Sequence, residues 1–371
     1  MNLFSFPSVR IFLLLVFSIL FAFYFHPILF LLLIPFIYLT FREKRYFYYL
    51  FFFISFSFYA YISKTKEIFE ERNFLFHQKV INYIENIFDD YLEKENKGLV
   101  YGLFFGDKSK LSYELKEIFK KTGLYHILAV SGLHITIFAF VILTIFNIFQ
   151  IPFSLKYFLL IFFILLYACL CSFRPSILRA GIMFLFLSFS YFLNRKTLPI
   201  VNLFSSGILI LLFSPLSLFN ISFQLSFLAT FGILYFYPYF NNLKINNSII
   251  KNLLIKPFFI SLSCYFATLP ILISNFGTIP TASIFANLIV APLIGFIIPL
   301  ILIVLFFSLF SSFLTLIFSQ SLNLLLKLLI ILTKFFSQIF PLIKIEKEYG
   351  IIFLLTFLLI TFLINSFYQN N

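Results

Sequence analysis

Charge is scarce in this chain, and cysteine and glycine are scarcer still. Charged residues fill 11% of the 371 positions against 62% hydrophobic ones, and the mean hydropathy is +1.04. A soluble domain of this length has too little interior to hide so much apolar surface. The shortage of charge therefore excludes a water-soluble globular domain and leaves lipid as the solvent of most of the chain. Only three cysteines occur, Cys169, Cys171 and Cys264, all within apolar segments. None has metal-ligand spacing to the four histidines, and Cys-x-Cys inside a span is a packing pattern. No metal site and no cofactor is expected.

Glycine is rare and unevenly placed. Gly98, Gly102, Gly106, Gly123 and Gly132 are five of the 11 in the whole chain. The richness in Phe, Ile, Lys and Asn points to an AT-rich genome, so the 62 Phe residues need no special role. Glycines clustered against that background point to backbone geometry or close approach.

An apolar run of roughly 20 residues crosses a bilayer as a helix. Candidate runs are Ile11–Phe25, Ile28–Phe41, Tyr46–Ile62, Ile127–Phe149, Tyr157–Cys171, Ile177–Leu193, Leu198–Phe213, Phe223–Tyr237, Pro257–Ile273, Ile284–Phe310 and Ile351–Phe367. Ser311–Phe340 is apolar but carries Lys327 and Lys334, so it spans or lies along the interface. The expected fold is an all-α polytopic bundle of about 10–12 membrane segments. The first run lacks a small-residue cleavage site and a second follows at once, so a retained span is expected. The positive-inside rule puts the N-terminus in the cytoplasm, with Arg42–Arg45, Lys156, Arg195–Lys196 and the Asn241–Lys256 loop on the same side. Segments 63–125, 214–217 and 274–278 then lie outside.

Residues 64–121 form an island with 11 of the chain's 14 acidic and 11 of its 27 basic residues, a net charge of zero. Apolar residues recur there close to every 3.6 positions from Ile68 to Leu92, predicting an amphipathic helix over about Lys66 to Glu95. The organisation read from these features is residues 1–63 as leading spans and 64–97 as the amphipathic segment. Residues 98–300 follow as a core membrane domain, and 301–371 as C-terminal helices.

Four constellations stand out. In the first, Gly102 and Gly106 make a small-xxx-small pair for close backbone approach, and Asp107 follows. Ser112 reads as the cap of a short helix ending at Gly123, after which His126, Ser131, Gly132 and His134 enter an apolar span. An intramembrane Ser–His hydrolase would need an orienting acid and oxyanion donors, and the nearest acid is Glu117, nine residues before His126. Interhelical hydrogen bonding or pore lining is the preferred reading, and no catalytic residue is assigned. In the second, Pro175 sits where a helix tolerates proline, with Ser176 beside it. Arg174 and Arg179 then either snorkel to headgroups or form a cationic rim for an anion. In the third, Ser222, Gln224, Ser226 and Thr230 dot one span. In the fourth, Pro270, Pro292 and Pro299 interrupt apolar helices around Asn287, as broken helices do beside a cavity.

These residues resemble the competence domain of the ComEC family, inner-membrane DNA-uptake channels. The resemblance rests on four ordered blocks. They are Gly106-Asp-Lys-Ser-Lys-Leu111 with Gly123-Leu-Tyr-His-Ile-Leu-Ala-Val-Ser-Gly-Leu-His134; Pro175-Ser-Ile-Leu-Arg-Ala180; Phe223-Gln-Leu-Ser-Phe-Leu-Ala229 with Gly232; and Ala267-Thr-Leu-Pro270 with Ala286-Asn-Leu288 and Pro292. It covers residues 98–300. It implies a channel carrying single-stranded DNA from periplasm to cytoplasm, with pore-lining or structural roles for Asp107, His126, Ser131, His134, Arg179 and Gln224. It also implies contacts with membrane lipids, a periplasmic DNA receptor, and a cytoplasmic motor or single-strand-binding proteins, with a homo-oligomer as one possible assembly. Longer members carry an oligonucleotide-binding β-domain and a metallo-β-lactamase-like domain. The expectation here is a minimal form with neither, without nuclease chemistry. Lys108 and Lys110 stand where the family more often has Arg and Gly. The alternative function is a secondary transporter for a small anion, which broken helices and a cationic rim would also suit.

Overall fold

The computed structural model describes residues 6–24, 56–57, 59, 75–128, 130, 132–171, 175–192, 198–241 and 251–367. It is 83% helical with 2% strand, an all-α bundle of 13 helices among the described residues. The expected spans at 28–41 and 46–62 lie outside those residues, apart from Phe56, Ser57 and Tyr59.

The helices are α1 (Pro7–Tyr24), α2 (Leu75–Tyr91), α3 (Lys94–Val100), α4 (Tyr113–Lys121), α5 (Gly132–Ile148), α6 (Phe153–Leu170) and α7 (Pro175–Phe192). They continue as α8 (Pro199–Phe213), α9 (Ile221–Asn241), α10 (Lys256–Phe276), α11 (Ser283–Phe307), α12 (Ser312–Ile339) and α13 (Tyr349–Phe367). Four of the last five, α9 to α12, are long and apolar enough to cross a membrane, and six shorter apolar helices accompany them. These ten coincide with ten of the runs expected from hydropathy. The chain is a membrane protein.

α1 packs in the bundle rather than beside it. Phe12 stacks on Phe227 of α9 at 4.6 Å and meets Phe204 of α8 edge-on at 5.3 Å. α9 and α10 cross closely. A Cβ on Gly232 would lie 2.5 Å from both the Ser263 carbonyl oxygen and the Ala267 Cβ, so the absent side chain sets how closely these backbones approach.

The expected breaks at Pro270, Pro292 and Pro299 are corrected: α10 and α11 run through them as continuous helices. Each proline removes a single i→i−4 bond, and neighbouring bonds and side-chain contacts keep the helix whole. α12 likewise runs unbroken through Lys327 and Lys334.

The island is a docked subassembly. Its first helix ends at Tyr91, short of the expected Glu95, and α3 follows directly, entering a π-helical turn at Tyr101–Phe105. From Gly98 to Phe105 every residue is buried. Asn96, 1% exposed, donates to the Asn323 Oδ1 of α12 at 2.8 Å, and Asn323 Nδ2 donates to the Tyr91 carbonyl. Glu93 pairs with Lys327 at 2.7 Å and Glu114 with Lys334 at 3.6 Å. The lysines that interrupt the apolar tail are therefore the side chains that receive the island.

Gly106, at φ 71°, closes the π turn in a left-handed conformation, so it acts as a cap and not as half of a small-xxx-small helix contact. Ser112 caps α4, its Oγ accepting from Leu115 N at 3.3 Å, and the helix ends into Gly123 at φ 70°. A Cβ on Gly123 would lie 2.7 Å from Pro280, which places the island's exit against the corner between α10 and α11. That corner is pinned by β1 (Thr278–Pro280), paired antiparallel with β2 (Leu342–Lys344).

Gly232→Val is expected to destabilise the bundle by about 1–3 kcal/mol, measured as a lower midpoint of thermal aggregation in detergent. Asn96→Ala strands part of Asn323 in an apolar setting and is expected to lose about 1–3 kcal/mol in the same assay.

Candidate functional site

Three of the singled-out residues meet at one buried point. α5 begins at Gly132, α7 carries Arg179 just inside its start, and α9 carries Ser226 in its first half. Arg179 is 4% exposed; its Nε donates to Ser226 Oγ at 2.9 Å and its Nη1 lies 3.3 Å from Met183 Sδ. A Cβ on Gly132 would sit 2.9 Å from Arg179 Nη2, so the glycine leaves room for the guanidinium. His134, two positions on, is also buried.

Among the described residues no carboxylate pairs with Arg179; the ion pairs all lie at the island and α12. A buried cation is stable only where polar groups or an anion replace water. A serine hydroxyl and a thioether sulfur are weak substitutes. The arrangement is thus an electropositive point inside an apolar bundle, and chemically it can hold a passing or resident anion.

The other candidates lie elsewhere. Asp107 caps its own turn, its Oδ1 accepting from Ser109 N and its Oδ2 from Ser109 Oγ, both at 2.9 Å. His126 is exposed, with Nδ1 2.8 Å from the Gly123 carbonyl. Gln224 Nε2 donates to the Leu218 carbonyl at 2.8 Å, bracing the 3-10 turn Pro215–Phe219 ahead of α9. Asn287 Nδ2 lies 3.3 Å from Ser283 Oγ on its own helix. Ser176 is in the first turn of α7, which Pro175 opens. Ser131 and Arg174 lie outside the described residues. Glu117, the acid nearest His126 in sequence, instead accepts from Lys120 at 2.7 Å, and that hydrogen bond pushes the Lys120 pKa up. Among the described residues no three His, Cys, Asp or Glu side chains gather as a metal site.

A model of the competence protein family matches residues 103–368. The chain belongs to the competence protein family. Within that family match lie the whole Arg179 locus and also α12 and α13, beyond the residue-300 limit of the motif resemblance. ComE operon protein 3 of Bacillus subtilis is 29% identical over 224 residues, 60% of this chain and 28% of that protein. An uncharacterized protein of Aquifex aeolicus is 30% identical over 63% of this chain and 52% of its own length. Recombination protein 2 of Haemophilus influenzae is 32% identical over 151 residues, 38% of this chain and 19% of that protein. The chain thus matches about half the length, or less, of these relatives. No solved structure matches.

Motif reading missed three residues that hold this competence-family core together, Tyr167, Asn96 and Asn323, and read a fourth, Cys171, as packing. Tyr167 donates its hydroxyl to the Phe104 carbonyl at 2.8 Å, and Cys171 Sγ lies 3.5 Å from the same oxygen, satisfying the backbone at the π turn. Asn96 and Asn323 form the island's amide pair. The one usable signal was Asn323, an amide inside an apolar stretch.

Removing both partners of a buried polar contact is less damaging than removing one. Ser226→Ala is therefore expected to destabilise the protein by about 1–3 kcal/mol. Arg179→Met with Ser226→Ala should return stability to the wild-type level or above, as read by denaturant unfolding in micelles. A double variant weaker than Ser226→Ala alone would show that the guanidinium is there for stability.

Proposed function

We propose that this competence-family protein acts in DNA uptake, as a channel component that passes a single DNA strand across the cell inner membrane from periplasm to cytoplasm. The observation that carries the reading is the convergence of three separate family blocks on Arg179, buried and without a carboxylate partner among the described residues. A strand bears one negative charge per nucleotide and must lose much of its water to cross an apolar layer. A guanidinium held among three helices supplies a compensating charge inside the bundle, and its planar fork suits phosphate oxygens. Family membership supports the same reading. In this reading the chain does no chemistry of its own, and Glu117 bound to Lys120 is not oriented on His126.

The N-terminus faces the cytoplasm in this proposal. Segments 63–125 and 274–278, assigned outside by the positive-inside rule, belong on one side, and Gly123 packed against Pro280 supports that assignment.

Deleting the gene in its host is expected to reduce entry of labelled DNA into the cytoplasm to background while DNA still binds at the cell surface. Arg179→Ala, inserted at wild-type levels, should lower entry at least tenfold, with Arg179→Lys intermediate. The buried cation also suits a small-anion transporter. Normal DNA entry in the deletion strain, joined to lost phosphate or sulfate uptake, would decide for that alternative.

A further inference from the structure

From Ile118 to Ile345 the chain contains no aspartate and no glutamate. α5, α7 and α9, the helices that meet at Arg179, all lie inside that stretch. They cannot balance the charge of the guanidinium themselves. The three acids that precede the stretch are engaged elsewhere: Asp107 accepts from Ser109, Glu114 pairs with Lys334 and Glu117 with Lys120.

The backbone adds to the positive charge at this point. Gly132 is the first residue of α5, Arg179 the fifth of α7 and Ser226 the sixth of α9, so three helices meet near their N-terminal ends. Each such end carries about half a positive charge on its unpaired N–H groups. In the orientation proposed above, all three ends face the outer side. Among the described residues no hydrogen bond engages the N–H of Gly132 or of Leu133.

The guanidinium also has an unused edge. Nε donates to Ser226 and Nη1 lies against Met183 Sδ, whereas Nη2 enters neither contact. Beyond its chain neighbours, a Cβ on Gly132 would meet Nη2 at 2.9 Å and no other described side chain within 4 Å. Cβ positions lean toward a helix's N-terminus, so this edge is turned to the start of α5, with space beside it. A cation 4% exposed and a positive helix end oppose each other there. A tetrahedral oxyanion answers both, accepting from the planar fork and from the backbone N–H groups.

We propose that Arg179 Nη2 and the backbone N–H groups of Gly132 and Leu133 form a cradle for one phosphodiester of the DNA strand. Gly132 is the positioning residue, because a side chain there would displace the guanidinium. The inference rests on the DNA reading above and adds the atoms that take the phosphate. A lipid phosphate has the same chemistry, and the test separates the two sources.

The full chain is titrated with dithymidine monophosphate in maltoside micelles, which carry no phosphate, and the midpoint of thermal aggregation is followed. The dinucleotide should raise the midpoint saturably, and its uncharged methylphosphonate analogue should not. Gly132→Ala and Arg179→Lys should each raise the half-saturating concentration about tenfold, the loss of one charge-assisted hydrogen bond. Gly132 has an ordinary helical backbone, so alanine fits the chain there and the guanidinium is what must withdraw. A substitution that merely loosened the fold would lower the starting midpoint and leave the half-saturating concentration where it was. Unchanged half-saturation in both variants, or a wild type that does not respond to the dinucleotide, would overturn the cradle. Loss of DNA entry on deletion would in that case leave the DNA reading standing, whereas normal entry would overturn that reading as well. Stabilisation by phosphatidylglycerol that the dinucleotide cannot displace would overturn the assignment to a strand and give the cradle to a lipid headgroup.

Discussion

A guanidinium buried among three helices and answered by a serine hydroxyl is the constraint that fixes how those helices meet. Arg179 can occupy its place only because α5 starts with a glycine there and because α9 presents Ser226 at 2.9 Å. Charge in an apolar interior is tolerated only where protein groups replace water. Three helices are thereby committed to one geometry, and the remaining bundle packs around them. The close approach of α9 to α10 at Gly232 carries that order to the helices beyond.

The same constraint explains the island. A segment bearing Asn96 and a distorted π turn enters the bundle at a cost that partners for its amide and its freed carbonyl reduce. Asn323 meets the amide, and Tyr167 with Cys171 meets the Phe104 carbonyl. The lysines of α12, which interrupt its hydropathy, pair with Glu93 and Glu114. The tail is thus part of the same folding unit as the island, in keeping with a family match that extends to residue 368.

Much of this was legible in the residues. Ten apolar runs became ten apolar helices, because hydropathy reports directly on a solvent that cannot hydrogen-bond. The Ser112 cap and the Gly123 stop were legible because capping is settled within four or five residues. Gly106 was misread: a spacing of four residues suggests packing, while the left-handed backbone that requires glycine arises only when the π turn ends there. The prolines were misread for a related reason, since a proline weakens a helix locally and contacts with neighbouring helices decide whether it breaks. Gln224 was singled out as a polar guest, yet its amide serves a neighbouring turn.

By itself the sequence determined the solvent, the helices and the ordered blocks that mark the family, because each depends on composition or on contacts within a few residues. The tertiary structure alone decided which of the polar residues meet. Arg179 and Ser226 lie 47 positions apart and Asn96 and Asn323 lie 227 apart, and no local pattern encodes such pairings. They emerge only when helices are brought together and a buried polar group gains a partner in place of water.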